Sequence, residues 1–211
     1  MEVLKLNPLE KQNAICFILK RTDQGYNPRD FKQFKKFVTE SNINLITFDV
    51  NNDNTEHFRV CKLYTQVKNL SLPQYCLDVP EYAKGYLMEE IFEKEELLTE
   101  LQDEYEELDD KKSFKAQNLL SWVEILKDEI QEKIDFYKYD LRPQWITKKI
   151  LDLLRNIEQK ETKLVHFSQK DVLSDIIDLL KEMKVNVKIV DEKSKFNYTN
   201  INYKQEEVKQ W

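Results

Sequence analysis

The chain has 211 residues with 33 Lys/Arg against 39 Asp/Glu, a net charge of −6, 41% hydrophobic residues and 11% aromatics. That apolar share is enough to offset chain entropy and excludes wholesale disorder, and the length suits one core with an appendage. Three scattered cysteines and two histidines exclude a disulfide framework and the usual zinc spacings, and two glycines, Gly25 and Gly85, exclude GxGxxG, P-loop and GxSxG motifs, so no cofactor or metal is expected.

Ala14 to Leu19 is a continuous apolar run that reads as a central strand. The loop Arg21 to Asn27 holds Gly25, and Asn27 and Pro28 are placed to cap and open an amphipathic helix to Glu40, with Phe31, Phe34, Phe37 and Val38 on one face. Ile43 to Val50 predicts a second strand closed by Asp49. Asn51 to Asn54 is a turn, and Asn54 or Thr55 caps a helix with Phe58, Val60, Cys61, Tyr64 and Val67 as its stripe. Gln74 to Val79, between Pro73 and Pro80, is a third strand carrying Asp78 near its end.

Residues 84–141 then break the alternation. Leu87, Ile91, Leu98, Leu101, Tyr105 and Leu108 recur at gaps of three and four, with Lys94 at the one polar position of the seam. Ala116, Leu119, Val123, Leu126, Ile130 and Tyr137 repeat that spacing after a polar turn, which predicts two long helices in an antiparallel hairpin. The net charge is concentrated here: residues 81–141 hold 19 Asp/Glu and 8 Lys/Arg, whereas the flanks are slightly basic. Such a face is either solvated or a docking surface for a basic partner.

Pro143 is expected to end the hairpin and open a helix through about Lys160, with Trp145, Ile146, Ile150, Leu151, Leu154 and Ile157 inward. Lys163 to Phe167 predicts a fourth strand. Ser168 is expected to cap a helix with Val172, Ile176, Ile177, Leu180 and Met183 as its stripe, and Val185 to Val190 is a fifth strand ending at Asp191. Phe196, Tyr198, Ile201 and Tyr203 lie in a tail that adds an edge strand or packs loosely.

The pattern predicts an α/β fold: an open, mostly parallel, Rossmann-like sheet of about five strands with flanking helices and an inserted helical hairpin. Residues 1–83 and 142–195 make the two parts of the α/β unit, 84–141 the insertion and 196–211 the tail. Ligands of such sheets bind beyond the carboxyl ends of the strands, so the ligand-binding candidates are Lys20, Arg21, Asp49, Asp78 and Arg142, with Asp23, Asn51 to Asp53, Ser168 and Lys170 nearby. Asp49 and Asp78 would share a proton or a hard cation if adjacent strands bring them together. Equally, aspartates at strand ends commonly cap the next helix. His57 and His166 read as a surface and a buried histidine, and no Ser/His/Asp or Cys/His set stands out by spacing.

Leu45-Ile46-Thr47-Phe48-Asp49, Tyr75-Cys76-Leu77-Asp78 and the segment Arg142 to Ile150 leading to Lys163-Leu164-Val165 resemble the superfamily of TraB pheromone-shutdown, ChaN-like and erythromycin-esterase-like proteins. The resemblance implies an interrupted sheet and carries over Arg142, Asp49 and Asp78. The family's histidine motif has no counterpart in Lys20 to Asn27, and its glycine-histidine is replaced by Ser168-Gln169-Lys170-Asp171, so the likeness implies a member without the catalytic set.

The functional expectation is a non-catalytic, cytoplasmic interaction or scaffold protein that docks a protein partner or self-associates through Leu98, Leu101 and Tyr105 of the hairpin. The alternative is a hydrolase, or a small-ligand or nucleotide sensor, with a pocket at the strand ends. Acidic repulsion of phosphate argues against nucleic acid, and no apolar run is long enough for a membrane.

Overall fold

The computed structural model describes residues 3–10, 13–21, 31–51, 53, 56–59, 61–157, 161–191 and 197–200. The expected loop through Asp23, Gly25 and Asn27, the caps Asn54 and Thr55, Val60, and the tail positions Phe196, Ile201 and Tyr203 lie outside the described residues.

Strands β1 (Ala14–Arg21), β2 (Leu45–Phe48), β3 (Gln74–Cys76), β4 (Thr162–Gln169) and β5 (Asn186–Asp191) pair in parallel, and β6 (Asn197–Asn200) joins β5 antiparallel. Their order is β3-β2-β4-β1-β5-β6. The strand that follows the hairpin therefore enters the sheet between β2 and β1, in register from Ala14↔Thr162 to Arg21↔Gln169. Near-continuous apolar runs suit strands covered on both faces, and every residue of β2 is buried.

Helix α1 (Phe31–Glu40) packs Phe34, Phe37 and Val38 on one face of the sheet, together with Phe58 of α2 (Glu56–Arg59) and Leu63 and Val67 of α3 (Lys62–Lys68). Phe48 and Phe167 stack there at 5.3 Å. The opposite face is covered by α6 (Arg142–Asn156), through Ile146, Ile150, Leu151 and Leu154, and by α7 (Leu173–Glu182), through Ile176, Ile177 and Leu180. Between β3 and α6 the chain leaves the sheet as α4 (Glu81–Glu106) and α5 (Phe114–Asp135), an antiparallel hairpin. Among the described residues no helix is long and apolar enough to cross a membrane.

Several expected boundaries move, each for a local reason. The single helix through Phe58 and Tyr64 is two pieces, because Cys61 is extended and its Sγ caps α3 by accepting from the Tyr64 N–H at 3.4 Å. Ser168 does not cap a helix; it stays in β4, fully buried, and α7 starts at Leu173. Pro143 sits in the first turn of α6, as expected, but the chain remains helical across the join. Leu141 and Arg142 keep helical dihedrals, and Phe136–Leu141 forms a π-helical turn in which the Arg142 N–H bonds Tyr137 O, shifting the register just before the residue that lacks an N–H.

Helix ends that would normally close on glycine close on other residues. Asn42 and Lys184 take the left-handed φ values of 53° and 64°. Paired bonds complete each motif: Asn42 N–H to Thr39 O and Ile43 N–H to Val38 O, then Lys184 N–H to Lys181 O and Val185 N–H to Leu180 O.

Candidate functional site

The helices after β2 lie on one face of the sheet and the helix after β4 lies on the other, so the chain diverges from the adjacent carboxyl ends of β2 and β4. That divergence opens the crevice where ligands of doubly wound sheets bind. Here it is filled by the chain's own Arg142. The guanidinium donates from Nε to both carboxylate oxygens of Asp78 at 2.9 and 3.0 Å, and from its terminal nitrogens to Asp78 Oδ2 at 2.8 Å, Gln169 Oε1 at 2.7 Å and Asp171 Oδ2 at 2.9 Å. Asp78 also accepts the Val79 N–H at 2.9 Å, and Asp49 closes the base of the crevice by accepting the Gln169 N–H.

Arg142 is 8% exposed and Asp49 is 1% exposed. Burial by itself lowers the Arg142 pKa, but the Asp78 hydrogen bonds and the charges of Asp78, Asp49 and Asp171 outweigh it, so the group is held above its ordinary value. Tyr137, on the π-helical turn, is pushed up by burial and then by Asp78. Lys84, on the first turns of α4, is lowered by burial but raised overall, chiefly by its bond to Glu81. The cluster is thus a permanent cation gripped by carboxylates, with both feet of the hairpin in it: Asp78 precedes α4 and Arg142 follows α5.

The structure therefore joins Asp78, after β3, to Arg142, at the start of α6, by hydrogen bonds, while Asp49 acts on the same guanidinium through its charge and accepts the Gln169 N–H. Lys20 is exposed at the end of β1, in register with Ser168, and Arg21 pairs in register with Gln169. Asn51 and Asp53 reach the start of α4: Asp53 Oδ2 accepts the Glu81 N–H at 2.8 Å, and Asn51 Nδ2 donates to Glu81 Oε1 at 2.8 Å. His166 lies fully buried with its Nδ1 3.0 Å from Thr47 Oγ1, between Thr47 and Ile18 in register. Lys170 is exposed. Among the described residues no group of three His, Cys, Asp or Glu side chains could hold a metal ion.

Gln169, Asp171 and Tyr137 are neighbours of Arg142 that sequence reasoning missed. Gln169 and Asp171 are 27 and 29 residues away in the chain, and no periodicity ties them to a proline-adjacent arginine.

On the hairpin, Leu98, Leu101 and Tyr105 are half-buried on the same stripe of α4 as buried Ile91, and Ala116, Leu119, Val123, Leu126 and Ile130 of α5 are buried. The candidate docking residues are therefore partly withdrawn from solvent. What remains outside is a different set, including Leu97 at 44%, Trp122 at 58% and Ile125 at 46% exposure. No family model, curated protein or solved structure matches the chain, and the resemblance to the TraB and erythromycin-esterase-like superfamily rests on its three segments alone.

Proposed function

We propose that this protein is a non-catalytic interaction module whose acidic hairpin docks a basic, amphipathic helix of a partner protein. The observation that carries this reading is the placement of Leu97, Trp122 and Ile125. Lys94, Leu97, Leu101 and Glu104 follow one flank of α4 at gaps of three, four and three; Lys115, Asn118, Trp122, Ile125 and Glu129 follow one flank of α5 in the same way. Ion pairs Lys94–Glu129 and Lys115–Glu104 join the ends of these rows. The three exposed apolar side chains thus face the same side of the hairpin, framed by ion pairs and edged by the exposed Glu93 and Glu100.

A tryptophan within an apolar patch ringed by charge is the usual anchor of a protein interface, and grooves between helices take amphipathic helices. Two such hairpins would repel each other, since residues 81–141 carry 19 acidic and 8 basic side chains, so a basic partner is favoured over a second copy. The rival reading, a hydrolase or small-ligand sensor, needs Asp78 freed from Arg142, and a bidentate buried pair resists that.

The test uses a Lys/Leu amphipathic 18-residue peptide and a scrambled peptide of the same composition. Wild type binds the amphipathic peptide more tightly, more weakly as salt rises, and Trp122→Ser loses about tenfold, or about 1.4 kcal/mol. Equal binding of both peptides, undiminished binding by Trp122→Ser and Leu97→Ser, or a stable homodimer in sedimentation would each overturn the reading.

A further inference from the structure

The geometry points to a second docking surface, independent of the hairpin: we infer that the outer edge of β3 accepts an extended peptide with alternating aromatic and acidic side chains, which adds to the sheet as a further strand. Among the described residues β3 is the terminal strand on its side of the sheet. Its inner side is committed to β2, with Ile46 N–H donating to Pro73 O at 2.9 Å and Leu77 N–H donating to Phe48 O at 2.8 Å. Backbone direction alternates along a strand, so Gln74, between these positions, turns its N–H and C=O away from β2. At the far edge, by contrast, β6 already pairs with β5.

Two cavities flank this edge, one on each face, and both are walled by Tyr75 and Cys76. The larger, about 400 Å³, lies on the α6 side and is bounded by Leu77, Trp145, Lys149 and Leu153. The smaller, about 210 Å³, lies on the α2–α3 side and is bounded by Phe48, Phe58, Arg59 and Tyr64. Leu77 belongs to the core under α6 and Cys76 packs against the core under α1 to α3, which fixes the two cavities on opposite faces. Successive side chains of an added strand point to opposite faces, so one strand on this edge fills both cavities in alternation. That is the arrangement by which strand addition gains specificity: backbone bonds hold the peptide, and the cavities choose its side chains.

Charge selects the peptide. Each cavity carries a cation, Lys149 and Arg59, and neither forms an ion pair with a carboxylate among the described residues; Lys149 instead lies 5.1 Å from the Trp145 ring centre. In the larger cavity all three lining carboxylates are engaged, Asp78 by Arg142, Asp152 by Arg155 and Asp53 by the Glu81 N–H, so the wall available to a guest is chiefly Tyr75, Leu77, Trp145 and Leu153, an aromatic slot. The smaller cavity presents Arg59, exposed, to a carboxylate. Pro73 and Pro80 bracket the edge and limit pairing to a few residues, which guards against indiscriminate sheet extension.

The experiment titrates full-length protein with fluorescein-labelled acetyl-Glu-Phe-Glu-Phe-Glu-amide, its Lys-for-Glu counterpart, and a fully backbone N-methylated version. The acidic peptide is expected to bind, to protect the Gln74 amide from hydrogen exchange, and to bind at least tenfold more weakly to Gln74→Pro, which removes the outward donor while sparing the bonds to β2. Arg59→Glu, a change at an exposed side chain, is expected to weaken it similarly, and decides the question if Gln74→Pro does not fold. Absence of binding, equal binding of the Lys-Phe peptide, or full retention of affinity by the N-methylated peptide would overturn the inference.

Discussion

Replacing Arg142 with alanine is expected to cost about 3–5 kcal/mol of folding stability, because it leaves a buried carboxylate without its counter-charge. The magnitude follows from which partners can be rehydrated. Asp171 has a side chain 50% exposed, so water replaces the lost contact and its share is at most about 1 kcal/mol. Asp78, 11% exposed, loses three donated bonds and keeps only the Val79 N–H, and that loss makes up most of the cost. Arg142→Lys restores the charge but not the planar fork, so it recovers part of the stability. Urea unfolding followed by circular dichroism at constant m-value measures the difference. Arg142→Ala/Asp78→Ala should lose less than the sum of the single variants, since removing both partners leaves no orphaned charge. A loss below about 1 kcal/mol for Arg142→Ala would refute the clamp and leave the crevice open to a ligand.

Two further changes probe local physics. Lys184→Gly relieves a left-handed lysine at the end of α7 and is expected to stabilise the fold by about 0.5–1 kcal/mol in the same unfolding assay; a loss would mean that its side chain does more than tolerate the turn. Asp175 is held above the ordinary carboxylate range by burial and then by Asp178 and Asp140, so the folded chain binds its proton more tightly than the unfolded chain does. Its favourable contribution is complete below the unfolded pKa and disappears as pH rises through the folded one. Asp175→Asn should therefore melt higher than wild type at about pH 7, with the gap closing towards about pH 4, and a pH-independent gap would contradict the assignment.

The hairpin was legible in the sequence because a seam of three- and four-residue gaps is a local signal: Leu87, Ile91, Leu98 and Leu101 on α4 and Leu119, Val123 and Leu126 on α5 are the buried or half-buried positions of two helices that pack against each other. The parallel sheet was legible for a similar reason, since strand and helix periods alternate along the chain. Helix termini were less so. Cys61 as a cap and Lys184 in place of glycine go against residue preference, and the π-helical turn that carries the chain helically into Pro143 has no local sequence signal.

Composition, the two periodicities and the shortage of glycine determined the fold class, the inserted acidic hairpin and the lack of a GxGxxG or P-loop motif, because these depend on residues close together in the chain. The strand order, with β4 between β2 and β1, depended on which apolar faces bury each other across more than a hundred residues, and so belonged to the tertiary structure. The placing of Arg142 among Asp78, Gln169 and Asp171 and the edge position of β3 followed from that order, while the exposure of Trp122 followed from how the hairpin helices pack. A charge cannot find Asp78 at a separation of 64 residues, nor an aromatic ring be left in solvent, until the core has decided what lies beside it.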